Sequence, residues 1–192
     1  MARIPAIAPE SATGRAKTLL EAVKGMLGLV PNMTRAMANS PAALEGFLQL
    51  NAALAQGTLS PRVREQIALA VAEAHGCDYC LAAHSAIGKA EGLTAEQIRD
   101  SRAGTAVDPR IDALIRFARR ILETRGRVRD RDIADMRAAG FNDAVMAEVV
   151  ANVALHTFTN YFNLVADTAL DFPKAPALSV MVCPDGVPRH RS

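Results

Sequence analysis

Three times in this chain a small polar residue is followed by proline: Ser40-Pro41, Ser60-Pro61 and Asp108-Pro109. A helix leaves the N–H groups of its first turn unpaired, so proline loses nothing there and brings a φ already near the helical value. The Ser or Asp before it accepts from the N–H groups that follow. Each pair therefore predicts a helix start, and Gly57, Gly76 and Gly126 stand where the matching stops should fall. The predicted helices are 41–56, 61–75 and 109–125. Apolar periodicity adds 12–27, with Leu19, Leu20, Val23, Met26 and Leu27 on one face, and a short helix near 32–38. A further helix runs from Cys77 to Glu91 and stops at Gly92. Thr94 and Gln97 form a capping-box pattern for 95–102, Gly140 closes 130–139, and Asn142 caps a long helix over 143–170. No strand alternation and no internal repeat interrupts this series, so the fold class is all-α.

Composition agrees. Aromatics make up 4% of the chain, Trp is absent and alanine is abundant, which favours helices packed closely through small side chains. A length of 192 residues suits one domain over 1–192, with Pro-containing arms at 1–11 and 172–192. The formal charge is +2 with both signs interspersed, which points to neither nucleic acid nor an anionic membrane surface. The Arg-rich stretch Arg110–Arg131 is broken by Asp112, Glu123 and Asp130 and reads as a solvated helix face. The start, MARIPAIAPE, lacks the pattern of a signal peptide, and a cytoplasmic location is expected. Helix 143–170 is apolar nearly all round, from Val145 and Met146 to Phe162 and Leu164. It should be buried in the core or against another copy, so a homo-oligomer is expected.

The chemistry gathers between Glu65 and His84, EQIALAVAEAHGCDYCLAAH. Cys77 and Cys80 share a helix face, and His84 lies one turn further along it. Gly76 precedes Cys77, so the pair sits in the first turn, where outward-pointing N–H groups favour a thiolate. His84 is placed to trade protons with Cys80. Glu65 falls on a largely apolar flank of the upstream helix, beside Leu69 and Ala72, while Arg62, Gln66 and Glu73 make the wet side. A short turn between the two helices folds His84 back toward Glu65. The rival reading is zinc held by Cys77, Cys80 and His84, with Glu65 or His75 as a fourth ligand. Ligands at i, i+3 and i+7 of one regular helix converge poorly on a tetrahedron, and there is no second cysteine pair; redox chemistry without metal or cofactor is the better reading.

Glu65, Cys77, Cys80 and His84, in the spacing E-x(11)-C-x-x-C-x-x-x-H, resemble the signature of the alkylhydroperoxidase AhpD-like proteins of the carboxymuconolactone decarboxylase superfamily. The resemblance is close over residues 40–105 and looser over the long C-terminal helix. It implies an AhpD-like helical bundle with the C-x-x-C at the N-terminus of a core helix, assembled as a trimer or hexamer. It implies a peroxidase in which Cys80 attacks a hydroperoxide and Cys77 resolves the sulfenic acid as a Cys77–Cys80 disulfide. Glu65 and His84 relay protons, and a dithiol reductant, such as a lipoyl-carrying protein, restores both thiols. Two alternatives remain beside it: a decarboxylase-like lyase of the same superfamily, and a zinc-binding or non-enzymatic stress protein. Where the namesake enzyme has a second histidine before its second cysteine, this chain has Tyr79. His75 does not fill that place and reads as a helix-end residue that complements the dipole. His156 reads as a satisfied core histidine, Cys183 as a bystander thiol, and Asn152, Asn160 and Asn163 as cross-links between helices.

Overall fold

A computed structural model of the chain describes residues 2–178. Each proline-opened helix starts where the sequence places it. Ser40 accepts from the Ala43 N–H, Ser60 from Val63, and Asp108 from Arg110 and Ile111. Among the described residues there are nine α-helices and no strand: α1 Gly14–Leu27, α2 Asn32–Met37, α3 Pro41–Ala55, α4 Pro61–His75, α5 Asp78–Ala90, α6 Ala95–Ala103, α7 Pro109–Thr124, α8 Asp130–Ala138 and α9 Asp143–Ala166. The Thr94–Gln97 capping box and the Asn142 cap form as expected. Among the described residues no single helix is long and apolar enough to cross a membrane.

The stops differ more from expectation. Gly76 closes α4 in the left-handed region at φ 64°. Helix α3 ends at Gln56 instead, and Gly57 serves a different purpose: a Cβ there would lie 2.6 Å from a carboxylate oxygen of Glu148, which reaches across from α9. Helix α7 ends on Arg125 at φ 54°, one residue before Gly126. Helix α9 is four residues shorter than the predicted 143–170, because Asp167 turns left-handed at φ 52° and gives its N–H to the Asn163 carbonyl. A non-glycine residue in that region costs energy, so tertiary contacts beyond it must hold the turn.

Helix α4 is the hub. It packs against α5, α6, α7 and α9, and Gln66 through Ala72 are buried without interruption. Gln66 is therefore a correction to the expected wet side: neighbours cover α4 on every side at that level. Ile67 and Val71 face the largest apolar cluster, with Leu114, Phe117, Met136, Phe141, Met146, Val149 and Val153. Burying a side chain of this size stabilises by about 1.5–3 kcal/mol. A second cluster joins Leu20, Met37 and Leu44, with Phe162 of α9 against it. On α1 the expected apolar face is narrower than predicted, since Met26 and Leu27 are exposed. Helix α9 also keeps an outer face in solvent: Val150, Phe158, Tyr161, Leu164 and Val165 are all exposed large apolar residues.

Candidate active site

The local sequence builds the site from two helices and one turn. Helix α4 carries Glu65 and ends at Gly76, and the chain reverses directly into α5. Cys77 is the N-cap of α5, its sulfur accepting the Cys80 N–H at 3.3 Å. The two sulfurs lie 2.7 Å apart as free thiols, 1% and 2% exposed. A disulfide needs about 2.05 Å between its sulfurs, so small side-chain rotations close the gap. Both cysteines belong to an apolar cluster with Ala72, Tyr79 and Leu81, against which Met33 and Ala175 pack.

Helix reversal also brings Glu65 to His84. The carboxylate oxygen lies 2.8 Å from Nδ1, and each side chain is 15% exposed. The partner of His84 Nδ1 is thus the carboxylate and not a thiol. The His84 ring stands edge-on to His156 of α9, with centroids 4.9 Å apart. His156 is buried. Desolvation first, then the charges of His84 and Arg64, holds its pKa well below the usual histidine range, so it is neutral at pH 7.

The lower-titrating sulfur is not the one the sequence favours. Cys77 is held below the usual thiol range, first by the S–H donated from Cys80, then by the Cys80 N–H and by the charge of His84, against the opposing effect of burial. Cys80 is pushed up, first because its own proton is committed to Cys77 and second by burial. The two form one titrating unit that shares a proton. Cys80 has one donor from outside the pair: the side-chain amide of Asn163, near the end of α9, at 3.3 Å.

Three residues that the sequence placed elsewhere also shape the site. Tyr79 is anchored, not free to relay protons. Its hydroxyl donates to Asp171 at 2.6 Å and accepts the Met33 N–H at 3.3 Å. Burial, then the bond to Asp171, raises its pKa far above the ordinary tyrosine value. His75 is kept neutral by partial burial and stands against Thr157 and the Tyr161 ring, so it carries no charge to the helix end. Among the asparagines only Asn163 bridges helices; Asn152 and Asn160 donate to Glu148 and His156 carbonyls of their own helix. Cys183 lies outside the described residues.

Residues 171–176 run over the N-terminus of α5 as a strap. Asp171 accepts from Tyr79 and from the Asn32 N–H, Lys174 pairs with Asp78 at 2.7 Å, and the Pro176 carbonyl accepts from buried Arg102 at 2.8 Å. Arg102 is itself held by Glu73 of α4 at 2.8 Å. Among the described residues no three His, Cys, Asp or Glu side chains are grouped as ligands for a metal ion, and Glu65 is already committed to His84.

Residues 41–124 match the sequence pattern of the Carboxymuconolactone decarboxylase family, a span that holds α3 to α7 and all four signature residues. The fold is AhpD-like. Among solved structures, the chain is similar to an alkylhydroperoxidase AhpD core, a peroxidase-related protein from Ralstonia eutropha JMP134. The identity is 24% and the TM-score 0.78, over 88% of this chain and 92% of that one. A peroxidase-related protein from Silicibacter sp. TM1040 is 22% identical, with a TM-score of 0.75 over 87% and 92% of the two chains. The debrominase Bmp8, whose structure holds 2,3,4-tribromopyrrole, is 17% identical, with a TM-score of 0.74 over 88% and 91%. At these identities the likeness is one of fold. No curated protein sequence matches the chain.

Proposed function

We propose that this AhpD-like chain is a thiol-dependent hydroperoxide reductase. The observation that carries the reading is the Cys77–Cys80 pair, two free thiols in contact at a helix N-terminus, one turn from the Glu65–His84 pair. Cys80 as thiolate attacks the terminal, hydrogen-bearing oxygen of ROOH. The S–O bond forms, the O–O bond breaks, Cys80 becomes a sulfenic acid and RO⁻ takes a proton to leave as ROH. Cys77 thiolate then attacks the Cys80 sulfur, and the displaced hydroxide leaves as water. The net change is ROOH and two thiols to ROH, water and one disulfide. An external dithiol, of which a lipoyl-carrying protein is the proposed source, returns both thiols by exchange.

The Glu65–His84 pair supports this reading because the leaving oxygens need protons, and an imidazole held by a carboxylate is placed to supply them.

The test is an anaerobic thiol titration before and after one equivalent of hydroperoxide, with single-turnover peroxide loss in Cys77→Ser and Cys80→Ser. Loss of two thiols per chain as a Cys77–Cys80 bridge is expected. Cys77→Ser should consume one equivalent and leave a dimedone-reactive sulfenic acid on Cys80, while Cys80→Ser should consume none. Two thiols retained after peroxide would refute the reading. Running 2,3,4-tribromopyrrole in parallel separates a peroxidase from a protein that shares the activity of its debrominase neighbour.

A further inference from the structure

We infer that Asn163 is the residue that lets the negative charge of the thiol pair settle on Cys80, and so decides which cysteine attacks. The inference rests on the hydroperoxide-reductase reading for its meaning, but not for its test.

Cys77 takes the Cys80 N–H at 3.3 Å, and its sulfur, 2.7 Å from that of Cys80, is the lower-titrating of the two. For Cys80 to attack, its proton must cross 2.7 Å to Cys77. After that transfer Cys77 no longer needs a donor, and the anion on Cys80 does. From outside the pair, the only donor aimed at it among the described residues is the Asn163 Nδ2, 3.3 Å away. Asn163 is 3% exposed, so water does not compete for the sulfur. The amide oxygen of Asn163 is buried without a partner, as is that of Asn160 one turn earlier. A buried amide normally has its acceptor satisfied as well. An amide held with its oxygen unpaired and its N–H on a sulfur is placed for that sulfur.

The surrounding charges do not replace it. On α5, His84 is held by Glu65 of α4, and Asp78 is paired with Lys174 of the strap. Tyr79 is bound to Asp171 and protonated. His156 of α9 is neutral and stands against His84. Arg102 of α6 is spent on Glu73 and the Pro176 carbonyl. Asn163 thus acts directly on the reacting atom, where the Glu65–His84 pair acts on protons.

A hydrogen bond to a charged group shifts an equilibrium by about tenfold to a hundredfold. The experiment isolates each thiol. In a Cys77→Ser background, the pH dependence of iodoacetamide alkylation reports the Cys80 thiolate; in a Cys80→Ser background it reports Cys77. Asn163→Asp keeps the shape and loses the donor; Asn163→Ala removes both. Both should move the Cys80 profile up by about a pH unit or more and leave the Cys77 profile in place. Asn163→Asp, nearly isosteric, serves if Asn163→Ala fails to fold. An unmoved Cys80 profile in a folded variant, or an equal shift of both thiols, overturns the inference. Because no peroxide is used, a positive result beside an inert peroxide assay would reject the proposed function and keep the role of Asn163.

Discussion

Removing one oxygen from Tyr79 should loosen the strap without unfolding the protein. The phenol donates to Asp171 at 2.6 Å, a length typical of an O–H to carboxylate bond, and accepts the Met33 N–H from the first turn of α2. In Tyr79→Phe both bonds are lost, while the ring stays in the apolar cluster beside the cysteines. A bond to a charged partner contributes about 1.5–3 kcal/mol. Asp171 is exposed and keeps the Asn32 N–H, so the lower end applies, about 1–1.5 kcal/mol after screening. That is about a tenfold rise in the fraction of molecules whose strap is open. The thiols beneath are nearly inaccessible when it is closed. If small alkylating agents reach them only through the open form, iodoacetamide should modify Cys77 and Cys80 about tenfold faster at fixed pH. Urea unfolding should fall by no more than about 1–2 kcal/mol. An alkylation rate within twofold of the parent would refute the reasoning, as would a rate that rises only in step with global unfolding. Tyr79→His, which restores the histidine of the namesake enzyme, should behave like Tyr79→Phe.

Glu65→Gln and His84→Ala should each slow single-turnover peroxide loss by about 10²-fold or more while leaving the helical circular dichroism intact; a Glu65→Gln rate equal to the parent at every pH would remove the relay. Glu148 ties α9 to the loop before α4. Against the raising effect of partial burial, the Thr58 and Leu59 N–H groups and the Thr58 hydroxyl hold its carboxyl below the usual range. A lowered folded-state pKa gives stability that is present above the unfolded value and lost as pH falls through the folded one. Glu148→Gln should therefore be less stable than the parent at pH 7, and the difference should shrink on acidification below about pH 4, as read by urea unfolding at both pH values. The exposed Phe158, Tyr161, Leu164 and Val165 face of α9 is proposed to be covered by further copies of the chain, as a trimer or hexamer. Sedimentation of a 20.4 kDa species at micromolar concentration would refute it.

What could be read from the sequence was mostly local. The Ser-Pro and Asp-Pro starts, the Thr94 capping box and the juxtaposition of Cys77 with Cys80 depend on neighbours within one turn, and all formed as expected. The Glu65–His84 contact was legible because one helix and one turn connect them. Gln66 was misplaced because a helix wheel assumes one wet side, and α4 has none at that level. Asn163 lies 83 residues from Cys80 and Asp171 lies 92 from Tyr79. No periodicity or spacing relates such positions; only the path of α9 across α4 and α5 does. The end of α9 was overrun for the same reason. Its apolar pattern continues past Ala166, while the left-handed Asp167 that stops it belongs to the turn leading into the strap.

The left-handed turn at Gly76 gives the spacing of the signature a mechanical meaning. An α-helix rotates by about 100° per residue. One residue added or removed between Glu65 and Cys77 would therefore swing α5 about the axis of α4, carrying His84 off the carboxylate and Cys80 off the Asn163 amide in a single motion. The site has no slack in that interval. The loop at 104–108, which joins α6 to α7, sets neither of these two contacts. Chains built on this plan should tolerate changes of length there and reject them between the acid and the first thiol, so the interval works as a gear ratio between two helices.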